Sequence, residues 1–223
     1  MMSEENSPAA CAPPRQRRSQ AERREETRRR AIDAAIACLA EEGYAATTTI
    51  TVAKRANISR GGMLHHFPTK TDLIVSVMQE IEQRVHMMRR DEILRYPKGV
   101  ERFLALTDVT WATMAAPEMM ASLEILMAQR GDEALEERLI DVADDLDHFQ
   151  LEGTQRIARA AGIENDDLVE AMHTLHQAAF RGLMIERLIT RKPEKIDAAL
   201  DLLRWYKRVF ADRMLNEASE QKA

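Results

Sequence analysis

Apolar residues recur at helical spacing along most of the chain. Ile32, Ala35, Ile36 and Leu39 fall at i, i+3, i+4 and i+7, so they share one helix face. That helix is expected to emerge within residues 15–30 and to run to about Glu42, with Gly43 stopping it. Thr48 precedes a short stretch carrying Val52, Ala53 and Ala56, and its hydroxyl suits the cap of a second helix. Asn57 tolerates the left-handed backbone that a tight turn needs. Ser59 can cap a third short helix over residues 60–66. Thr69-Lys70-Thr71-Asp72 has the spacing of a capping box. It opens a long helix with Leu73, Val77, Met78, Ile81 and Val85 on one face.

Helical patterning continues to the C-terminus. Val100, Phe103, Leu104, Thr107, Trp111 and Met114 form a stripe that ends before Pro117. Further helices are expected at about 118–130, 132–161, 166–190 and 193–216, with Gly162 stopping the second of these. Few segments alternate with period two, and Gly (8) and Pro (7) are scarce, so the fold class is all-α. The 223 residues are 45% hydrophobic and 31% charged, which suits a globular chain with a real core. Of the two cysteines, Cys11 lies in a polar tail and Cys38 in a helical pattern. No disulfide framework or cysteine-based zinc site follows, and a reducing, cytoplasmic setting fits. No apolar run approaches the roughly 18 residues of a membrane span, and no signal peptide is visible, so no membrane partner is expected.

Charge divides the chain. Residues 1–70 hold 12 Lys/Arg against 8 Asp/Glu, a net of +4, while residues 71–223 hold 20 against 29, a net of −9. A basic front end suits a polyanion and the acidic remainder suits something else, although +4 is also what solvated helix faces carry. Eight arginines fall within residues 15–30, interrupted by Glu22, Glu25 and Glu26. They read as a solvated helix start or, less simply, as an arm on DNA. The expected organisation is a disordered tail over 1–18, a three-helix unit over 19–70 and a larger helical domain over 71–223.

Residues 48–66 read as helix, tight turn, helix. In a helix-turn-helix the second helix enters the DNA major groove with its first residues at base edges. Here it begins Ser59-Arg60-Gly61-Gly62. Adjacent glycines cost a helix about 1 kcal/mol each relative to Ala. Close approach to a ligand surface is one reason to carry that cost, and a plain loop between core helices is the other reading. Arg60 could pair with guanine or phosphate, and Lys70 at a helix start suits a phosphate.

The stretch from Thr27 to about Asp72 resembles the N-terminal domain of the TetR family of bacterial transcriptional regulators. The resemblance rests on Gly43-Tyr44, Thr47-Thr48, Val52-Ala53, Ala56, Ile58-Ser59-Arg60-Gly61, His66-Phe67-Pro68-Thr69-Lys70 and Leu73. It implies phosphate contacts from Thr48, Ser59 and Lys70, with Arg60, Gly61, Gly62 and His65 at or beside bases. Three positions depart from the family pattern. Leu64 stands where a DNA-touching Tyr is usual, Asn57 replaces the usual turn Gly, and Thr49 stands where an apolar residue is common. Thr49 and Leu64 are retained as candidate DNA-facing positions. His66 is expected to pack beside a core Phe67.

By the same resemblance, residues 71–223 form an effector-binding and dimerisation domain. The last helix carries two apolar stripes, Ile196, Ala199, Leu200, Leu203, Phe210 and Met214 on one and Leu202, Trp205 and Val209 on the other. Two apolar faces need burial on two sides. Leu175, Ala179, Gly182 and Leu183 on the preceding helix, with Leu202, Trp205 and Val209, are the candidate homodimer face. Trp111, Met114, Met127, Phe149 and Met172 are candidate lining for a small apolar effector, because Met fills irregular shapes. Met119 and Met120 share that character. His173 and His176 are candidate ligand contacts. With His148 elsewhere and no third metal ligand in place, they read as satisfied histidines and no metal is expected.

No nucleophile elbow, zinc-protease motif, phosphate loop or dinucleotide fingerprint is present, so an enzyme is not expected and no cofactor is called for. Asp144 and Asp145 are adjacent on a helix and diverge. The expected function is a sequence-specific DNA-binding regulator, a repressor released from a palindromic double-stranded operator by an unknown small molecule. An activator of the same fold and a helical protein–protein adaptor are the alternatives.

Overall fold

The computed structural model describes residues 19–220, apart from the side chains of Asp141, Ala143, Asp145 and Leu146. The expected tail over 1–18, with Cys11, Arg15, Arg17 and Arg18, lies outside the described residues, as does the side chain of Asp145. The order is α1 (Gln20–Ala46), α2 (Thr49–Ala56), α3 (Arg60–His66), α4 (Lys70–Ile93), α5 (Val100–Thr113), α6 (Pro117–Ala128), a 3-10 turn (Gln129–Gly131), α7 (Glu133–Ala160), α8 (Asp166–Ile189) and α9 (Pro193–Glu220). No strand occurs among the described residues, and the chain is all-α. No described helix is long and apolar enough to cross a membrane.

Local chemistry sets the boundaries. Ser19 and Glu22 close a capping box at the start of α1. Gly43, at φ 81° and ψ 173°, interrupts the helix where the sequence placed a stop, and one more turn follows before Thr47. The Thr48 hydroxyl accepts from the Thr51 amide at the start of α2. Asn57 ends α2 in the left-handed conformation at φ 53° and ψ 51°. The Arg30 guanidinium donates to the carbonyls of Ala56 and, at 2.9 Å, Asn57. A cation there satisfies free carbonyls at the negative end of the helix. Arg30 therefore braces the turn from inside.

One apolar cluster joins α1, α2, α3, α4, α6 and the start of α7. Ile32, Leu39, Met63, Phe67, Leu73 and Ile81 are each 1% exposed or less within it. Burial of side chains of this size is worth about 1.5–3 kcal/mol apiece. The core does not divide at residue 70, because α4 rises out of the three-helix unit and carries its apolar face into the larger domain. Separate clusters hold α5, α7, α8 and α9 together.

Candidate functional site

Two surfaces and one cavity stand out. The first surface is the outer face of α2 and α3. In α3, Met63 turns inward and is followed by buried Phe67, while Arg60, Gly61, Leu64 and His65 are exposed. The 3.6-residue period makes these two sets face opposite ways. Thr48 and Ser59 are exposed at the two helix starts, and Thr49 and Gly62 are half-buried. The Ser59 hydroxyl accepts from the Gly62 amide at 3.1 Å. The two glycines differ. A Cβ on Gly62 would meet Ile58 and Ser59 at 3.2 Å, whereas a Cβ on Gly61 would meet nothing within 4 Å. Packing explains Gly62, and nothing inside the protein requires Gly61.

His66 lies against Phe67, with ring centroids 6.1 Å apart. Burial first, and then His65, Arg24 and Arg28, lower its pKa below the usual histidine value. The arginines of α1 are therefore neighbours of the C-terminal end of α3.

Lys70 is placed differently from a free phosphate ligand. Its ammonium donates to the Tyr44 carbonyl at 2.9 Å and sits 3.6 Å from the Tyr44 ring centroid. Burial lowers its pKa, with Asp132 opposing. Lys70 ties α4 to α1. The same Tyr44 donates its amide to Glu124 of α6 at 3.0 Å and its hydroxyl to Asp132 at 3.0 Å. Burial, then the Asp132 hydrogen bond, push the Tyr44 phenol up to about 12. Arg84 of α4 adds pairs to Asp33 of α1 at 2.6 Å and to Glu118 of α6 at 3.8 Å. The base of the three-helix unit is thus bonded to the larger domain.

A cavity of about 580 Å³ lies between α4, α5, α7 and α8, with Lys207 reaching it from α9. Phe149, Met172, His173 and His176, four of the candidate effector contacts, line it. Trp111, Met114 and Met127 do not. Trp111 stacks on Phe180 with ring centroids 6.2 Å apart, Met114 is buried in a cluster with Phe180 and Met184, and Met127 is exposed on α6. Met172 is the one methionine of the lining among the described residues, and cations share it. Arg89, Arg90, Arg102, Arg156 and Lys207 line the cavity, and no carboxylate does among the described residues.

Sequence reading missed these cations, yet a signal was there. Lys207 interrupts the stripe Ile196, Leu200, Leu203, Ala211, Met214 at its own helical position, and Arg89 stands midway between Val85 and Ile93. A charge inside an apolar stripe is the informative exception to burial rules. Lys207 is 3% exposed and lies 4.7 Å from the Phe103 ring centroid. Burial pushes its pKa down to about 7, against the pull of Asp108. Burial also lowers Arg89 to about 10, with Glu82 opposing. Arg89 donates to Thr113 at 3.1 Å and to Gln150 at 3.4 Å.

The histidines are not satisfied. Nε2 of His173 and of His176 are buried without a hydrogen-bond partner, as is the Thr107 hydroxyl. No group of three or more His, Cys, Asp or Glu that could hold a metal occurs among the described residues.

The second surface runs along α8 and α9. Leu175, Ala179, Gly182, Leu183, Leu202 and Trp205 line a shallow apolar groove. Trp205 is 61% exposed, and Leu202 and Val209 are exposed with it.

Residues 31–77 match the family described as bacterial regulatory proteins, tetR family. The repressor AcnR of Corynebacterium diphtheriae is 24% identical over 176 residues, covering 77% of this chain and 86% of the relative. The regulator CymR of Pseudomonas putida is 26% identical over 167 residues, covering 74% and 81%. The crystal structure of a transcriptional regulator from Rhodococcus sp. Rha1 superposes with a TM-score of 0.64 at 18% identity, covering 80% of this chain and 94% of that one. The three-helix unit and the match over residues 31–77 lead to one conclusion, that this part of the chain is similar to the DNA-binding domain of the tetR family of bacterial regulatory proteins, and regulators of that kind align with most of the remaining chain.

Proposed function

We propose that this regulator is a homodimeric repressor that binds a two-fold DNA site and leaves it when a small molecule fills the cavity. The observation that carries the reading is the outer face of α3. Gly61 has no neighbour for a side chain, so its bareness is of use to something outside the protein, and Arg60 stands beside it. A glycine there lets the α3 backbone approach base edges. Arg60 is assigned to a base, and Thr48, Ser59 and the start of α4 to phosphates. Thr49, Leu64 and His65 flank them. The remaining domain, net −9 from residue 71 on, is kept away from DNA by like charge.

The groove on α8 and α9 is assigned to the second copy. Gly182, like Gly61, has open space where its Cβ would be, so its smallness serves an approaching helix. Two helices from each copy make a four-helix interface, and two-fold symmetry matches two half-sites. The cavity connects to the DNA face through α4. One end of α4 holds Lys70 and Asp72 under the three-helix unit, and the other contributes Arg89 and Ile93 to the cavity. Lys70 and Arg89 are about 28 Å apart along the helix axis. A ligand that binds the DNA-incompetent conformer more tightly shifts the population toward it. The proposed lever is a movement of α4 that changes the separation of the two α3 helices. A cytoplasmic location goes with this role.

Footprinting of the purified protein on DNA flanking its own gene, at two salt concentrations, tests the reading. Protection of a roughly palindromic site, weaker at the higher salt, is expected. Failure to protect that DNA and to enrich any site from random DNA refutes it.

A further inference from the structure

The cavity carries more information than its size. It combines a buried ammonium, a half-buried guanidinium and three buried polar atoms without partners. Each of these has a defined hydrogen-bonding sense. The Thr154 hydroxyl donates its one proton to the Gln150 carbonyl at 3.1 Å. It therefore accepts from His173 Nδ1, 3.2 Å away, and His173 Nε2 is left as a bare lone pair. His176 Nδ1 lies 2.9 Å from the Met172 carbonyl and must donate to it, so its Nε2 is also an acceptor. Lys207 offers only donors, and no described carboxylate forms an ion pair with it. Leaving such groups buried and unpaired costs more than a net hydrogen bond gains. Phe149, Ile157, Met172 and Phe180 supply an apolar wall beside them.

Resting on the proposed effector role of the cavity, we propose that its ligand is a small organic carboxylate with an apolar body and at least one hydroxyl or N–H donor, the carboxylate meeting Lys207 and Arg89 and the donor meeting His173 or His176. A carboxylate accepts only, which matches the ammonium and guanidinium. A hydroxyl gives the proton that an imidazole lone pair lacks. A primary amine would place a sixth positive charge beside five cations, with no carboxylate in the lining among the described residues. A neutral hydrocarbon would leave the Lys207 ammonium and the Nε2 lone pairs of His173 and His176 without a partner. The volume of about 580 Å³ falls in the usual range for small-molecule sites. Burial also keeps His176 neutral, its pKa pushed down to about 4, so its lone pair stays available.

The test uses the full chain and matched series of hydroxylated aryl and alkyl carboxylates, the corresponding alcohols and the corresponding amines, with about six to ten carbons each. Affinity is read by calorimetry and by the shift in melting temperature. Carboxylates are expected to bind at least about tenfold tighter than the matched alcohols and amines. Lys207→Met removes that preference and Lys207→Arg keeps it. Alcohols or amines binding as tightly as carboxylates, an unchanged preference in Lys207→Met, or no carboxylate binding at all overturns the proposal. Should Lys207→Met not fold, the preference of the unaltered protein decides alone. A parallel anisotropy assay on DNA selected by the protein separates the two claims. A carboxylate that binds without releasing DNA overturns the release reading and leaves the anion site standing. A neutral compound that releases DNA from the same cavity, with no carboxylate doing so, overturns the anion site and leaves the release reading standing.

Discussion

The three-helix unit and the cavity obey opposite rules. In the unit, apolar side chains face in, polar ones face out, and each helix end is closed by a residue suited to it. In the cavity a lysine, an arginine and two histidines sit where the helical pattern calls for apolar residues. The first region is a surface presented by a conventional core. The second is a core interrupted by charged and polar groups. Local rules that fail together in one place mark a site whose groups are kept for something other than folding.

Opposite signs of stability change sharpen that comparison most. Phe67 is 1% exposed in the core beneath α3. Phe67→Ala is expected to destabilise the protein by about 3–5 kcal/mol in denaturant titration. Lys207→Met, also a buried position, is expected to stabilise the ligand-free protein by about 1–4 kcal/mol, because it replaces an unpaired buried charge by an apolar chain of similar length. Loss of stability in Lys207→Met would make Lys207 a structural residue and break the contrast.

The pH dependence checks the same point. Lys207 has an ordinary pKa of 10.5 and a folded pKa of about 7. Between these values the unfolded chain holds a proton that the folded chain lacks, so stability rises with pH. The groups acting on Lys207 are Asp108 on α5 and, on α8, His173 and His176, whose folded pKa values lie below the ordinary histidine value. Their titration therefore falls at lower pH. Cys38, raised by burial above its ordinary value of 9.0, and Tyr44, raised from 10 to about 12, act oppositely, but only above pH 9. Urea titrations from pH 7 to 10 should show stability rising by up to about 1.4 kcal/mol per pH unit from Lys207, and Lys207→Met should remove that part of the slope and leave the contribution of Lys70, whose pKa is also lowered.

Smaller effects belong to the outer face of α2 and α3, the proposed DNA-binding surface. Arg60→Ala should weaken DNA binding by about 1–3 kcal/mol and relax preference at one base pair per half-site, while uniform weakening across sequences would assign Arg60 to a phosphate. Gly61→Ala should raise stability by about 1 kcal/mol, since its Cβ meets nothing, and lower DNA affinity at the same time. Stability and affinity rising together would remove the argument that Gly61 makes room for DNA.

Much of the first region was legible because its signals are local. Thr48, Asn57, Ser59 and the Thr69–Asp72 box act within four residues of themselves, so the sequence alone places the helix ends. Lys70 and Arg30 were less legible, because their partners Tyr44 and Asn57 lie 26 and 27 residues away. The cavity was legible only in part. Phe149, Met172, His173 and His176 line it, but whether a residue of α5 or α6 reaches it depends on long-range packing. That is why Trp111, Met114 and Met127 fall elsewhere. The five cations were readable as interruptions of apolar stripes only where the stripe is strong, at Lys207 and Arg89. The two-stripe pattern of α9 did locate the exposed apolar groove, because a second apolar face is visible in any helix long enough to show its period.

Selection of the purified full-length protein against random-sequence DNA, repeated at two salt concentrations, tests the central claim most directly. Enrichment of a two-fold symmetric sequence whose affinity falls steeply as salt rises is expected. Recovery of no preferred sequence at either salt concentration would contradict it.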